Sequence, residues 1–177
     1  MVRKSGTRRA VWDGQAADYD RAMEPFERRV FAPSRAWLCA KASGRVLEVA
    51  AGTGLNLAHY PPGVRLTCVD FSFPMLAKAR QRSGPEVAFC QADAHALPIA
   101  DAAFDTAVCT LSATLFRVVL AFPELHRILR PGGRLLVLDH VHLRAGVVRP
   151  LRAAGFRVEA RRRSAGGLVY ALVARRD

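Results

Sequence analysis

Long apolar runs and paired cysteines are missing from this chain of 177 residues, and acidic residues are scarce. No apolar run approaches the roughly 20 residues that a membrane-spanning helix requires. The basic segment Met1–Arg9 has no apolar stretch behind it, so we do not expect a secretory signal peptide. The sequence therefore predicts a cytoplasmic protein, long enough for one domain with a sizeable core.

Closely spaced cysteines are also absent. Cys39, Cys68, Cys90 and Cys109 lie far apart in apolar surroundings, and none belongs to a Cys-x-x-Cys pair. Zinc sites and disulfide frameworks are recognised by short or regular cysteine spacings. We therefore expect reduced core cysteines, no disulfide framework and no metal site.

The scarcity of acids leaves a strong positive charge, because 27 Lys and Arg stand against 15 Asp and Glu, a formal net charge of +12. Residues 140–177 hold nine basic residues against two acids, whereas residues 44–139 hold nine against eight. Such a surface attracts phospholipid headgroups or nucleic acid. The alternative is a compositional bias, since Arg outnumbers Lys by 24 to 3. Arg161-Arg162-Arg163 lacks the interleaved aromatic residues of single-strand nucleic-acid binders, which disfavours a nucleic-acid partner.

Two kinds of apolar pattern alternate along the chain. Residues 11–42 repeat apolar side chains at three- and four-residue steps, which predicts helices. From there onward, strand patterns without a polar face alternate with helical patterns, which predicts a parallel sheet covered on both sides. The strand patterns are Arg45–Ala50, Val64–Asp70, Val87–Gln91, Phe104–Thr110 and Arg134–His140, and the helical patterns are Leu55–Tyr60, Pro74–Ser83 and Ala121–Leu129.

The C-terminal end has a different pattern. A short helical pattern, Leu151–Ala154, precedes two strand patterns, Phe156–Arg163 and Leu168–Ala174. The link between the two strands, Ser164-Ala165-Gly166-Gly167, is tight and favours an antiparallel hairpin. The predicted fold class is therefore α/β, with a mostly parallel seven-stranded sheet that ends in an antiparallel hairpin.

The stretch Val46–Asn56 carries the strongest indication of a ligand. It is a buried strand pattern containing Glu48, followed by the turn Gly52-Thr53-Gly54. In open α/β sheets, ligands bind beyond the carboxyl ends of the strands. Glycines there let the backbone approach a ligand closely. Glu48 would hold an ammonium group or the turn that contacts the cofactor.

One acid ends the next strand pattern, and another stands just after the pattern that follows. Asp70 could accept hydrogen bonds from both hydroxyls of a ribose, and Asp93 from an exocyclic amine such as that of adenine. Either acid alone is more often a turn former. A dinucleotide site would need a third glycine where Leu57 stands. The ordered set of acids therefore favours a positively charged, phosphate-free nucleoside cofactor.

Five segments resemble the motifs of the class I S-adenosylmethionine-dependent methyltransferases: Val46–Asn56, Val69–Leu76, Asp93–Pro98, Phe104–Leu111 and Leu125–Leu135. The run Gly52–Gly63, and Trp12 with Tyr19-Asp20, resemble small bacterial members near the ubiquinone-biosynthesis and phospholipid N-methyltransferase groups. This resemblance implies a Rossmann-like three-layer sandwich and the cofactor S-adenosyl-L-methionine. It also implies an N-terminal helical lid in residues 1–43 and a methyltransferase core in residues 44–177.

The resemblance implies a set of cofactor-binding residues by position. Those expected at the methionine part and its loop are Glu48, Ala50, Gly52, Gly54 and Asn56. Those expected at the ribose and adenine are Asp70, Phe71, Met75, Asp93 and Ala94. Cys109 and Leu111 would line the floor of the site, and Tyr19 would close the lid.

Three departures from the family pattern concern the cofactor turn and the acceptor side. Ala50 stands where many members have glycine. Residues 112–120 replace a Pro-Asp-rich loop that normally shapes the acceptor pocket. The region after strand five is short, so the acceptor site is expected to be more open or completed by a second subunit, which makes a homodimer possible.

Three functions follow from these observations. The first is methyl transfer to a small molecule or lipid headgroup, and the second is a binding protein of this fold that has lost turnover. The third is RNA methylation, although Cys109-Thr110-Leu111-Ser112 stands where many base methylases carry Asn/Asp-Pro-Pro-Tyr. His95, His140 and His142 are candidate general bases. Because a lone histidine at a strand end is more often structural, no catalytic residue is assigned.

Overall fold

A seven-stranded sheet forms the centre of the computed structural model, which describes residues 3–112, 118–140 and 147–177. Its strands are β1 (Arg45–Val49), β2 (Arg65–Asp70), β3 (Ala88–Gln91), β4 (Phe104–Thr110), β5 (Leu129–His140), β6 (Phe156–Ser164) and β7 (Val169–Arg176). The order is β3-β2-β1-β4-β5-β7-β6. Strands β1 to β5 pair in parallel, and β7 pairs antiparallel with both β5 and β6. The predicted sheet and its terminal hairpin are confirmed.

Six α-helices accompany the sheet in the described residues: α1 (Arg3–Gln15), α2 (Tyr19–Phe26), α3 (Ala32–Cys39), α4 (Phe73–Arg82), α5 (Phe122–Ile128) and α6 (Val148–Ala153). A π-helical turn, Glu27–Phe31, joins α2 to α3. The predicted helix Leu55–Tyr60 is only a 3₁₀ turn, Leu57–His59. The amides of Leu57 and His59 donate to carbonyls three residues back, and Tyr60 is extended, with a ψ of 144°, because it precedes Pro61.

The core lies in two layers, one on each face of the sheet. Because successive strand residues point to opposite faces, Leu47 packs on one side of β1 and Val46 on the other. The first face is covered by α5 and α6, and the second by α3 and α4. Each fully buried Leu or Val contributes about 1.5–3 kcal/mol. This is the predicted three-layer sandwich.

The carboxyl ends of β1, β2 and β4 meet at one edge of the sheet, here called the carboxyl edge. Two non-glycine residues there, Ala50 and Leu111, have a φ of +53°. This left-handed region costs a residue with a Cβ about 1–2 kcal/mol. Such strain is concentrated at functional sites, and glycine adopts the conformation of Ala50 at lower cost.

Side-chain contacts attach the N-terminal helices to the carboxyl edge. Asp13 accepts a hydrogen bond from the Ser72 hydroxyl at 2.6 Å, and Asp20 accepts from the Thr53 hydroxyl at 2.5 Å. Asp20 also pairs with Arg82 of α4 at 2.5 Å. These acids therefore hold α1 and α2 over the loops that follow β1 and β2.

Parts of two predicted features lie outside the described residues. The first is most of the loop that follows Ser112, at residues 113–117. The second is the shortened region that follows β5, at residues 141–146, which includes His142. No helix within the described ranges is both long enough and apolar enough to cross a membrane.

Candidate cofactor site

A small pocket opens at the carboxyl edge beneath the N-terminal helices, with a free volume of about 60 Å³. Seven of the predicted site residues line it: Tyr19, Ala50, Gly52, Asp70, Phe71, Met75 and Leu111. Trp12, Thr110 and Ser112 also line it and were not predicted as site residues. The structure thus brings together residues from α1, α2, α4 and the ends of three strands.

Asp70 is the charged group of the pocket, and it is held by backbone amides. Its two carboxylate oxygens accept from the N–H groups of Gly52 at 2.8 Å and Ser72 at 2.9 Å. Burial raises the pKa of Asp70, and the backbone amides of Ser72, Gly52 and Phe71 partly offset that rise. A carboxylate has about four lone pairs, so Asp70 can still accept a hydrogen bond from a ligand.

The two glycines of the motif have different roles. A Cβ added to Gly52 would meet nothing within 4 Å, and this residue faces the pocket. A Cβ added to Gly54 would lie 2.7 Å from Leu57 Cδ1 and 3.1 Å from the Cα of Ala79 in α4. Gly52 therefore leaves space for a ligand, whereas Gly54 permits close packing of the turn on a helix.

Glu48 does not line the pocket, although it was predicted to face the cofactor. It is 1% exposed, and its oxygens accept from Asn56 Nδ2 at 2.7 Å and the Tyr60 hydroxyl at 2.8 Å. Burial raises the pKa of Glu48 to about 7, despite these two hydrogen bonds. Glu48 and Asn56 thus lie behind the pocket wall and support the Gly52–Gly54 turn.

A buried arginine from α3 completes this support and was missed from the sequence. Arg35 is 4% exposed and pairs with Glu27 at 2.7 Å. Its Nη1 donates to Asn56 Oδ1 and to Thr110 Oγ1, both at 2.8 Å. The sequence could have indicated this residue, because Arg35 lies four residues after Phe31 and three before Leu38 and therefore on the apolar face of the helix.

The other predicted residues lie outside the pocket lining. Asp93 accepts from the backbone N–H of His95 at 3.0 Å and contacts its ring at 2.6 Å, and Ala94 packs against the core. Cys109 is buried beneath Ser112, at 3.0 Å, and burial raises the pKa of its thiol to about 12. Cofactor contacts by these three residues therefore stay predictions.

Neither described candidate base lines the pocket. The His95 ring contacts Asp93, while the His140 ring packs edge-on against Phe31, with ring centres 5.3 Å apart. No general base is assigned to either.

Two aromatic residues form the cover of the pocket. Trp12 and Tyr19 pack edge to face, with ring centres 6.0 Å apart. Burial raises the pKa of Tyr19, so it is a neutral, amphipathic side chain at neutral pH. Tyr19 lines the pocket, and its closing of a lid over a bound cofactor stays a prediction.

A second, larger groove of about 560 Å³ lies between the 3₁₀ turn and the end of α4, lined by residues that include Leu57, Pro61 and Val87. It carries no convergent carboxylates, so the pocket around Asp70 is the stronger candidate. Within the ranges that the structure describes, no group of three or more His, Cys, Asp or Glu is placed to bind a metal ion. All four cysteines are free thiols.

An acid-bearing, glycine-lined pocket at the carboxyl edge of an open parallel sheet is the nucleotide or nucleoside site of Rossmann-like proteins. The methyltransferase domain family matches residues 47–137, just over half of the sequence, and the chain belongs to this family. The family predicted from the sequence is thereby confirmed.

Two relatives match similar shares of the chain. It is 44% identical over 106 residues to a demethylmenaquinone methyltransferase of Thermus thermophilus, covering 56% of this chain and 48% of the relative. It is 39% identical over 106 residues to a phosphatidylethanolamine N-methyltransferase of Cereibacter sphaeroides, covering 55% and 51%. The chain thus spans about half the length of these relatives.

The fold has close counterparts among solved structures. A SAM-dependent methyltransferase from Aquifex aeolicus superposes with a TM-score of 0.74 at 17% identity, covering 92% of this chain and 98% of that one. At this identity the likeness concerns the fold, and it confirms the Rossmann-like methyltransferase architecture.

Proposed function

We propose that this chain is an S-adenosylmethionine-dependent methyltransferase that acts on a small-molecule or lipid-headgroup acceptor. The observation that carries the proposal is Asp70, buried at the end of β2 and oriented by the amides of Gly52 and Ser72. It lies in a pocket whose lining residues include no Lys or Arg to bind a phosphate, in a chain that belongs to the methyltransferase domain family.

The pocket residues suit the parts of this cofactor. The Asp70 carboxylate would accept from the ribose hydroxyls through charge-assisted hydrogen bonds. Phe71 and Met75 would pack beside the adenine, and Gly52 would let the backbone approach the methionine part. The Trp12–Tyr19 pair would cover the bound molecule.

Bound S-adenosylmethionine supplies an electrophilic methyl group. The task of the protein is then to position the acceptor and to exclude water. A free volume of about 60 Å³ is far below the several hundred Å³ of a typical cofactor pocket. Residues 1–43 would therefore act as a lid that moves to admit the cofactor. The acids at Asp13 and Asp20 are its attachment points.

The names of the two relatives support an acceptor that is lipid-soluble or a lipid headgroup. A binding protein without turnover is the second candidate, favoured by the short region between β5 and β6. RNA methylation is the third, favoured only by the basic charge. The proposed methyltransferase and the binding protein would use the same cofactor site, and only the methyltransferase would transfer the methyl group.

Calorimetry with S-adenosylmethionine and S-adenosylhomocysteine tests the proposal. Asp70→Asn should weaken binding by about 10- to 100-fold, because it removes hydrogen bonds to a charged group. The matched control is Asp101→Asn, which changes an exposed aspartate paired with Arg127. If the wild type did not bind, or if the two variants had equal affinities, the cofactor assignment would be refuted. Binding without transfer to quinols, amines, thiols or phospholipids would favour the second candidate.

A further inference from the structure

The basic residues of the C-terminal hairpin are divided into a paired and an unpaired half. At one end of the hairpin, Arg175 and Arg134 pair with Glu159, and Arg157 pairs with Asp177. At the other end lie exposed Arg161 and Arg163, and neither forms an ion pair with any described residue. The unpaired end thus keeps its full positive charge.

Register places the unpaired end at the carboxyl edge. His140, the last residue of β5, pairs with Val169, and Val169 pairs with Ser164 at the end of β6. Because β5 runs parallel to β1, β2 and β4, the turn between β6 and β7 lies at the same edge as the pocket. A hydrogen bond of 2.5 Å between Ser34 and Ser164 fixes this turn to α3.

Exposed apolar side chains accompany the charge at this edge. Leu168, in the turn, is 64% exposed, and Phe73, directly after β2, is 62% exposed. In an antiparallel pair, opposite residues share a face, so Arg161 and Arg163 lie on the same side as Leu172 and Tyr170. We define Arg161, Arg163 and Leu168 as the basic hairpin end.

We infer that the basic hairpin end docks on an anionic lipid surface and thereby turns the mouth of the pocket toward the membrane. Arginines attract anionic headgroups, and exposed apolar side chains enter the interface. The inferred benefit, which rests on the proposed function, is that a lipid-soluble acceptor could reach the pocket without crossing water.

The same residues fit a nucleic acid less well. Proteins that bind single strands stack bases on exposed aromatic rings between their basic residues. The Trp37 ring beside β6 is already packed against Arg162, at 5.2 Å, and Lys41, at 4.4 Å. Leu168 at the tip supplies an apolar contact and no stacking surface.

Co-sedimentation with vesicles tests the inference on the full chain. The wild type should bind vesicles that contain phosphatidylglycerol and not vesicles of phosphatidylcholine alone. Binding should weaken steeply between about 0.1 M and about 0.5 M salt, where charges are screened. Arg161→Gln with Arg163→Gln should lower the partition constant about 25-fold, because each arginine near the surface contributes about fivefold.

The matched control is Arg65→Gln with Arg80→Gln, which removes the same charge from exposed arginines of β2 and α4. It should lower the partition constant by less than about threefold, because these side chains lie away from the docking edge, beyond the screening length. A third variant, Leu168→Ser, should weaken vesicle binding even at high salt, since it removes the apolar contact.

Three results would overturn the inference. The first is that the wild type does not bind phosphatidylglycerol vesicles, and the second is that the partition constant falls equally in the hairpin and control variants. The third is that a short single-stranded RNA binds more tightly than the vesicles do, and that the hairpin variant no longer binds this RNA. Calorimetry with S-adenosylmethionine should give the same affinity for all variants. Vesicle binding by a protein that does not bind S-adenosylmethionine would refute the proposed function and leave membrane docking intact.

Discussion

Burial changes the acid–base chemistry of Glu48 more than its sequence context suggests. Its carboxyl group, bonded to Asn56 and Tyr60, has its pKa raised from 4.5 to about 7 by burial. The folded protein therefore binds a proton that the unfolded chain has released between these two pH values. The free energy of unfolding should fall as the pH rises from about 4.5 to about 7, by about 3 kcal/mol from this group, and then level off.

Denaturation at several pH values measures this dependence. In Glu48→Gln, the fall in the free energy of unfolding between about pH 4.5 and about pH 7 should be smaller by the contribution of Glu48, because an amide does not titrate. Glu86→Gln, at an exposed glutamate, is the control and should leave the pH dependence of the free energy of unfolding unchanged. An identical pH dependence in wild type and Glu48→Gln would show that the buried carboxyl group does not titrate as inferred.

At the scale of elements, the turn after β1 packs against α4 through Gly54 and lines the pocket through Gly52. Gly54→Ala should lower the free energy of unfolding by about 2–4 kcal/mol, since the new methyl group adds overpacking against Leu57 and Ala79 to the cost of a positive φ. Gly52→Ala should cost only about 1 kcal/mol, the conformational penalty alone.

For the affinity for S-adenosylmethionine, the order of the two glycine variants should be reversed. A methyl group at Gly52 would enter the pocket and weaken S-adenosylmethionine binding, while Gly54→Ala should weaken it less once the protein is folded. Chemical denaturation and calorimetry on the same samples separate the two effects. Equal destabilisation by both substitutions would contradict the division of roles between the glycines.

At the scale of the whole molecule, Arg35 joins the N-terminal helices to the sheet. It connects Glu27, before α3, with Asn56 after β1 and Thr110 at the end of β4. Arg35→Leu should lower the free energy of unfolding by about 3 kcal/mol, because removing one partner leaves buried polar groups uncompensated. Urea denaturation measures this loss.

Arg21→Leu is the matched control, because Arg21 is 84% exposed and pairs with Asp18 on the surface. Its effect should stay within about 0.5 kcal/mol. If both leucine variants were equally stable, the Arg35 network would hold no part of the molecule together. A selective loss in Arg35→Leu would support its role as the link between the N-terminal helices and the sheet.

Prediction from the sequence was most successful where the pattern is local. The strands from Arg45 onward, α4 and the hairpin follow from apolar runs, Pro74 and a glycine pair, each read within a few residues. The predicted helix Leu55–Tyr60 was wrong, because only the 3₁₀ turn Leu57–His59 forms and Tyr60, which precedes Pro61, is extended. The pocket residues Trp12, Thr110 and Ser112 were missed, since no motif marks them.

The sequence by itself determined the family, the sheet and the acid at the end of β2, because periodicity and the glycine–acid motif are properties of neighbouring residues. Only the tertiary structure decided that Glu48 and Asn56 support the pocket from behind, that Arg35 is buried among them, and that the unpaired arginines of β6 share an edge with the pocket. These facts depend on contacts between distant parts of the chain, and side-chain direction and pairing exist only once those parts have packed.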